Sequence, residues 1–323
     1  MAFAAFLDRK TNWEEMRSLV KPLLVVMGPF LLLLMQPDLS GALVYIPVSA
    51  GMLYLAGARP LHLLSLAMVA GLTFGIPLAA TGLELATEDT APTFLQHAWL
   101  LIFSGGWPAV AALATISVAI IVVYWFLKEL RIALPPLFLV GVLALLYIGA
   151  AGGAFLQHHI KHYQKERLVT FVDPSADPLG SGYQVRQSKI AIGSGRVLGK
   201  GMEHTTQIRL GFLPTFHTDF IFSVVGEEFG LFGCLGLTAV FMFLIWRCFS
   251  VAAGARDRFG SLLGAGVGIM FAFYGFINLG MTLGLTPVVG VPLPLVSYGG
   301  SALVSYLVTV GLLLSVYRYR YIL

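Results

Sequence analysis

The chain has 323 residues, 58% of them hydrophobic and only 11% charged, with a mean hydropathy of +0.85. Soluble domains run about 45–50% apolar and about 25% charged, so this composition excludes a soluble globule, a disordered chain and a secreted disulfide scaffold. The net charge of +4 is modest, so the placement of the charges carries the information, and Cys234 and Cys248 sit in an apolar run that offers no disulfide framework.

A helix needs about 20 mostly apolar residues to cross the hydrocarbon of a bilayer. Residues 2–7 are apolar but too short; they look like the tail of a helix, and Asp8-Arg9-Lys10 directly after them does not fit a signal peptide. Eight stretches then qualify as spans, at roughly 19–35, 39–57, 61–82, 108–127, 134–155, 220–246, 260–284 and 301–317. Pro29 should kink the first. Residues 94–103 are set off by Gly105, Gly106 and Pro108 and read as an interfacial piece.

Alternating the connections puts Arg9, Lys10, Arg17, Lys21, Arg59, Lys128, Arg131, Arg247, Arg256, Arg258, Arg318 and Arg320 on one side. The short connections opposite, around 36–38, 83–97 and 285–300, hold no Lys or Arg. Positive charge marks the cytoplasmic side, so the C-terminus is predicted cytoplasmic. The remaining cations, Lys161, Lys165, Arg167, Arg186, Lys189, Arg196, Lys200 and Arg209, all fall in one long outer connection at 157–218.

That loop is rich in Gly and Pro, and loops this long are usually functional or disordered. Stretches such as Ile190-Ala191-Ile192 favour order. Its cations suit lipid headgroups or, equally, an anionic substrate at the outer membrane face. Residues 193–201 imitate a phosphate loop, but Ser194 stands where a Walker glycine is required and Gly201 follows Lys200. The glycine amides beside Lys200 can still form an anion nest. His158 and His162 have the i, i+4 spacing of a zinc pair but no nearby carboxylate or Cys to complete it, so no protein metal site is expected.

Asp219 opens the span after the loop. It reads either as an acid favoured by the helix dipole or as a general base at the membrane boundary. Glu227 and Glu228 follow about 12–13 Å deeper by helix rise, and intramembrane acids face a partner or a cavity. Gln36-Pro37-Asp38 joins two spans almost without a loop. The run from Thr286 to Ser301, with prolines at 287, 292 and 294, is apolar yet cannot be a regular helix. A tight external turn explains it, as does a re-entrant cap over a cavity.

Several of these segments resemble the SEDS family (shape, elongation, division and sporulation), and its rod-shape branch more than its division branch. The resemblance rests on Asp173-Pro174, Asp177-Pro178-Leu179-Gly180, Gly182-Tyr183-Gln184, Gln187 to Gly195, Gly199-Lys200-Gly201, Phe212-Leu213-Pro214, His217 to Phe222, Glu227-Glu228, Gln36 to Leu39 and the Val288–Ser301 run. It covers roughly residues 1–57 and 134–323. The family carries further spans at its front end, so the resemblance makes this chain N-terminally truncated, and residues 61–133 then hold an extra helical hairpin.

The resemblance implies an all-α polytopic membrane protein, a single integral membrane domain over 1–323 of the bacterial cytoplasmic membrane. It implies a peptidoglycan glycosyltransferase that polymerises lipid II at the outer face, for elongation and rod shape. Asp219 matches the family's essential aspartate and would deprotonate the acceptor hydroxyl. Lys189, Lys200 and Arg209 would steady the leaving pyrophosphate, and Glu227, Asp38 and Ser297 join them as candidates for substrate binding. No cofactor is implied beyond a divalent cation carried by the pyrophosphate. The implied partners are a class B penicillin-binding protein, which is a transpeptidase, and other elongation-complex membrane proteins; no nucleic acid is expected. A lipid-precursor flippase and a non-catalytic scaffold remain the rival classes.

Overall fold

In hydrocarbon every backbone N–H and C=O must find a partner within the protein, so apolar spans of this composition fold as helices. The computed structural model describes residues 1–9, 16–36, 39–65, 67–69, 107–129, 136–159, 180–201 and 217–320, with single positions at 71, 73, 75, 167, 170, 171 and 205. The helices in chain order are α1 (Ala2–Asp8), α2 (Val20–Met35), α3 (Leu39–Leu55), α4 (Trp107–Glu129), α5 (Pro136–His159), α6 (Ser181–Gly195), α7 (Ile221–Ala253), α8 (Arg258–Leu283) and α9 (Gly300–Tyr319). A 3₁₀ turn at Met16–Leu19 leads into α2, and residues 60–65 and 67–69 are also helical. No strand occurs among the described residues.

Four segments, Val110–Glu129, Ile221–Ala253, Arg258–Leu283 and Gly300–Tyr319, are long and apolar enough to cross a bilayer. Val20–Leu33, Gly41–Leu55 and Leu139–Gly153 are shorter apolar helices. The chain is an all-helical, multi-pass membrane protein, as the composition requires. Of the predicted spans, 61–82 is described only in part, and the interfacial piece at 94–103 lies outside the described residues.

The chain divides into two units, residues 61–176 and residues 1–60 with 177–323. In the first, α4 packs on α5. Ser117 Oγ donates to the Leu113 carbonyl (2.7 Å) and so accepts from the Tyr147 hydroxyl (3.1 Å).

The second unit is organised around α8, which packs against α1, α3, α6, α7 and α9. Small residues let the backbones approach, as membrane helix contacts require. A Cβ on Gly264 would sit 3.2 Å from Ala252 of α7, and one on Gly266 would sit 2.8 Å from Met52 Sδ of α3. Asp257 caps α8 by accepting from the Gly260 amide (3.0 Å), and Gly284, at φ 70°, ends it. Phe241, Cys248, Val251, Val267, Phe271, Leu293, Tyr306 and Leu313 form the apolar core between α7, α8, α9 and the segment before α9.

Two features depart from the sequence expectation. The connection at 157–218 contains a 15-residue helix, α6, at Ser181–Gly195. Its glycines mask an amphipathic pattern: Val185, Ser188, Ala191 and Gly195 are buried, while Arg186, Lys189, Gly193 and Arg196 are exposed. Ser188 Oγ donates to the Thr282 carbonyl of α8 (2.6 Å) and accepts from Ser223 Oγ of α7 (2.6 Å), pinning α6 to both neighbours.

The second departure is a break in α7. Gly230 adopts φ 63°, ψ −154°, which no helix tolerates. In an unbroken helix the amides of 231 and 232 would donate to the carbonyls of 227 and 228. Those four groups turn instead to the segment after α6. Leu231 and Phe232 donate to the carbonyls of Arg196 and Val197 (2.9 and 3.3 Å), and Glu227 and Glu228 accept from the amides of Lys200 and Gly201 (2.9 and 3.0 Å). The inserted segment touches the helix so closely that a Cβ on Gly199 would stand 2.1 Å from the Glu228 carbonyl oxygen.

A methyl group at Gly230 would lie 2.4 Å from the Gly199 nitrogen in a backbone region reserved for glycine. Gly230→Ala is expected to cost at least the roughly 1–3 kcal/mol of such strain and to lower the Tm in detergent. Gly236→Ala, on the same helix with nothing within 4 Å of the new methyl, should leave the Tm unchanged or raise it. Equal Tm values for the two variants would contradict the inserted break.

Candidate active site

Past Gly284 the prolines at 287, 292 and 294 deny the chain a helix, and residues 285–299 run as irregular backbone. Val288, Val289, Val291, Leu293 and Pro294 are buried, so the middle of this segment packs within protein, the condition for non-helical backbone at membrane depth. A turn at its far end is closed by Val296 and Ser297 amides on the Leu293 carbonyl (3.2 and 2.9 Å).

This segment and α8 hold the three residues before Phe220 by their carbonyls. The Tyr298 amide donates to His217 O (2.9 Å). The Ser297 hydroxyl donates to Thr218 O (2.5 Å) while accepting from the Leu293 amide (2.8 Å). Asn278 Nδ2 donates to Asp219 O (2.9 Å). Three consecutive peptide groups are therefore anchored, and the half-buried Asp219 side chain projects against Gly290, where a Cβ would come 3.3 Å from Oδ2. Gly290 has φ 77°, so both conformation and space call for glycine.

Asp219 lies in the turn just before α7 rather than inside its first helical turn, and α7 begins at Ile221. Phe220, next to it, is fully buried in a small cluster with Val185 of α6 and Val288. That cluster brings α6, the Asp219 turn and the 285–299 segment together. One helical turn beyond Val185, Lys189 is exposed, and its ammonium makes no hydrogen bond or ion pair among the described residues. It lies over the end of α8, with Nζ 2.6 Å from where a Gly284 Cβ would be. Arg186 is exposed on the same side of α6, about 60° from Lys189 at helical spacing, and Arg196, exposed as well, follows the helix end at φ 52°.

The other predicted site residues take different places. Glu227 is fully buried, and its Oε1 accepts from Lys200 Nζ at 2.9 Å. Lys200 thus neutralises an intramembrane acid. The nest reading of 193–201 does not stand, because the amides of Gly199, Lys200 and Gly201 donate to the carbonyls of Gly195, Glu227 and Glu228. Ser297 commits its hydroxyl proton to the Thr218 carbonyl. Asp38 and Arg209 lie outside the described residues, as does His162 of the candidate zinc pair. Among the described residues no group of three His, Cys, Asp or Glu side chains is placed to hold a metal.

The sequence reading missed Asn278. Its signal was available: a lone amide in the apolar span FAFYGFINLGMTL, where polar side chains typically tie helices together.

Residues 1–83 and 90–322 match the FTSW_RODA_SPOVE family, described as cell cycle protein. Over 317 residues the chain is 32% identical to the peptidoglycan glycosyltransferase RodA of Treponema pallidum, covering 97% of this chain and 71% of that one. Over 166 residues it is 50% identical to the peptidoglycan glycosyltransferase MrdB of Escherichia coli, covering 51% of this chain but 44% of that relative's length. It is also 36% identical over 305 residues to a probable peptidoglycan glycosyltransferase FtsW of Alkalilimnicola ehrlichii, covering 91% of this chain and 72% of that one.

Removing one partner of a buried ion pair leaves an uncompensated charge, at a cost of about 3–5 kcal/mol. Lys200 is 25% exposed, so Lys200→Met should fall at or below the low end of that range. The double variant Lys200→Met/Glu227→Gln should recover much of the loss, because no buried carboxylate is then left without its cation. Denaturation midpoints of the two single variants and the double variant in detergent test this; strictly additive losses would contradict the pairing.

Proposed function

The chain belongs to the FTSW_RODA_SPOVE family of cell cycle proteins, the SEDS family, and from this premise we propose that it polymerises lipid II into glycan strands at the outer membrane face. The observation that carries the proposal is the Asp219 carboxylate, held by three anchored peptide groups on a turn whose Phe220 packs with Val185, one helical turn from the exposed cation Lys189.

In this reading Asp219 accepts the proton of the acceptor sugar's 4-hydroxyl as that oxygen attacks the anomeric carbon of the donor. The new C–O bond forms as the bond from the anomeric carbon to the pyrophosphate oxygen breaks. Undecaprenyl pyrophosphate leaves with the electron pair, and the α-linked donor becomes a β-1,4 linkage. Lys189 supplies charge-assisted hydrogen bonds to the departing pyrophosphate, with Arg186 adding field along the same edge of α6. Anchoring matters here because a base misplaced by about 1 Å can cost about a hundredfold in rate. A divalent ion carried by the pyrophosphate belongs to the substrate.

The same reading places Lys189 and Asp219 on the extracytoplasmic side and the C-terminus in the cytoplasm, following the distribution of Lys and Arg. The wording Gly290-Val291-Pro292-Leu293-Pro294 favours elongation over division. A class B penicillin-binding protein would cross-link the strands as they emerge.

Purified chain, together with such a partner whose transpeptidase is blocked, should form strands from lipid II. Asp219→Asn should form none while keeping the wild-type Tm, and Lys189→Ala should slow strand formation by about a hundred- to a thousandfold, the scale of losing one donor to a developing anion. Undiminished polymerisation by Asp219→Asn would end the proposal.

A further inference from the structure

We infer that Asn278 is a positioning residue for the Asp219 carboxylate, an inference that rests on the function proposed above. Asn278 lies on α8, is fully buried, and belongs to neither the Asp219 turn nor the 285–299 segment. Its Nδ2 carries two hydrogens, and both are used: one on Asp219 O at 2.9 Å, the other on Val291 O at 2.7 Å. Both partners are carbonyl oxygens, so the amide nitrogen has to face them.

Asp219 and Val291 bracket the space in which the carboxylate sits. Val291 directly follows Gly290, the residue against which Oδ2 rests. A single side chain therefore sets the separation between the carboxylate's own backbone and the wall it faces. The Ser297 and Tyr298 anchors act on Thr218 and His217, whereas Asn278 acts on the peptide of Asp219 itself.

The other end of the amide supports a role beyond packing. Asn278 Oδ1 is buried and makes no hydrogen bond among the described residues. Buried polar atoms are normally satisfied, and an orphaned acceptor on this side chain is the cost of presenting two donors in that direction. An apolar residue of similar volume would avoid that cost but would leave the carbonyls of Asp219 and Val291 without donors.

Two variants separate positioning from mere folding. Asn278→Asp keeps the volume and loses the paired donors; Asn278→Ala removes the arm. Two readouts are taken on folded protein: steady-state polymerisation of lipid II, and the rate of carbodiimide labelling of Asp219 relative to the exposed Asp257, followed by mass spectrometry. Both variants are expected to lower kcat by about ten- to a hundredfold with KM within about twofold, because Asn278 touches no substrate, and to change the Asp219 labelling ratio severalfold. An unchanged labelling ratio in both variants overturns the inference whatever the turnover does. A changed ratio with kcat per folded molecule intact overturns it as well. Failure of the wild-type chain to make strands would defeat the proposed function, and the labelling ratio would still decide whether Asn278 holds the carboxylate.

Discussion

A backbone polar group stranded in a low-dielectric interior costs several kcal/mol in the absence of a partner, and this constraint shapes the second unit. The break at Gly230 releases two amides and two carbonyls from α7, and the segment at Arg196–Gly201 takes up all four. The segment can approach only because Gly195 and Gly199 carry no side chain. Lys200, delivered by the same segment, then meets the fully buried Glu227, an acid that needs a cation. Break, segment and ion pair form one device, each part compensating the polar groups that another exposes.

The same rule governs the far side of the site. The 285–299 segment cannot be helical, and its end spends polar groups on the turn that carries Asp219. Irregular backbone that would otherwise be a liability becomes the scaffold of a carboxylate. Both irregular segments follow or flank helices that meet at α6, α7 and α8, and the Ser188–Ser223–Thr282 contacts lock those three together. A site assembled this way is rigid where the proposed chemistry needs a fixed base, and open where Lys189 faces outward.

Hydropathy made the helices legible, because long apolar runs leave the backbone no other solution, and α3, α4, α5, α7, α8 and α9 fall close to their predicted ranges. It was blind to α6, whose polar residues and glycines read as loop even though Val185, Ser188 and Ala191 recur at helical spacing. It was equally blind to the break, since Gly230 is one of several glycines in an apolar span and its φ of 63° leaves no trace in composition. Asp219 stood out as an acid at a span boundary, but its anchors come from residues 59–81 positions later in the chain, beyond the reach of any local pattern. Lys200 was read as a ligand for phosphate because its partner, Glu227, lies 27 residues away along the chain.

The proposed chemistry is an in-line displacement at one carboxylate that inverts the donor's anomeric carbon. Linkage analysis of strands formed by the purified chain, with its class B partner's transpeptidase blocked, tests this most directly. Inversion should give wholly β-1,4-linked strands that a muramidase cuts to disaccharide units. Strands with the donor's α configuration retained, or the release of undecaprenyl pyrophosphate without any strand, would contradict it.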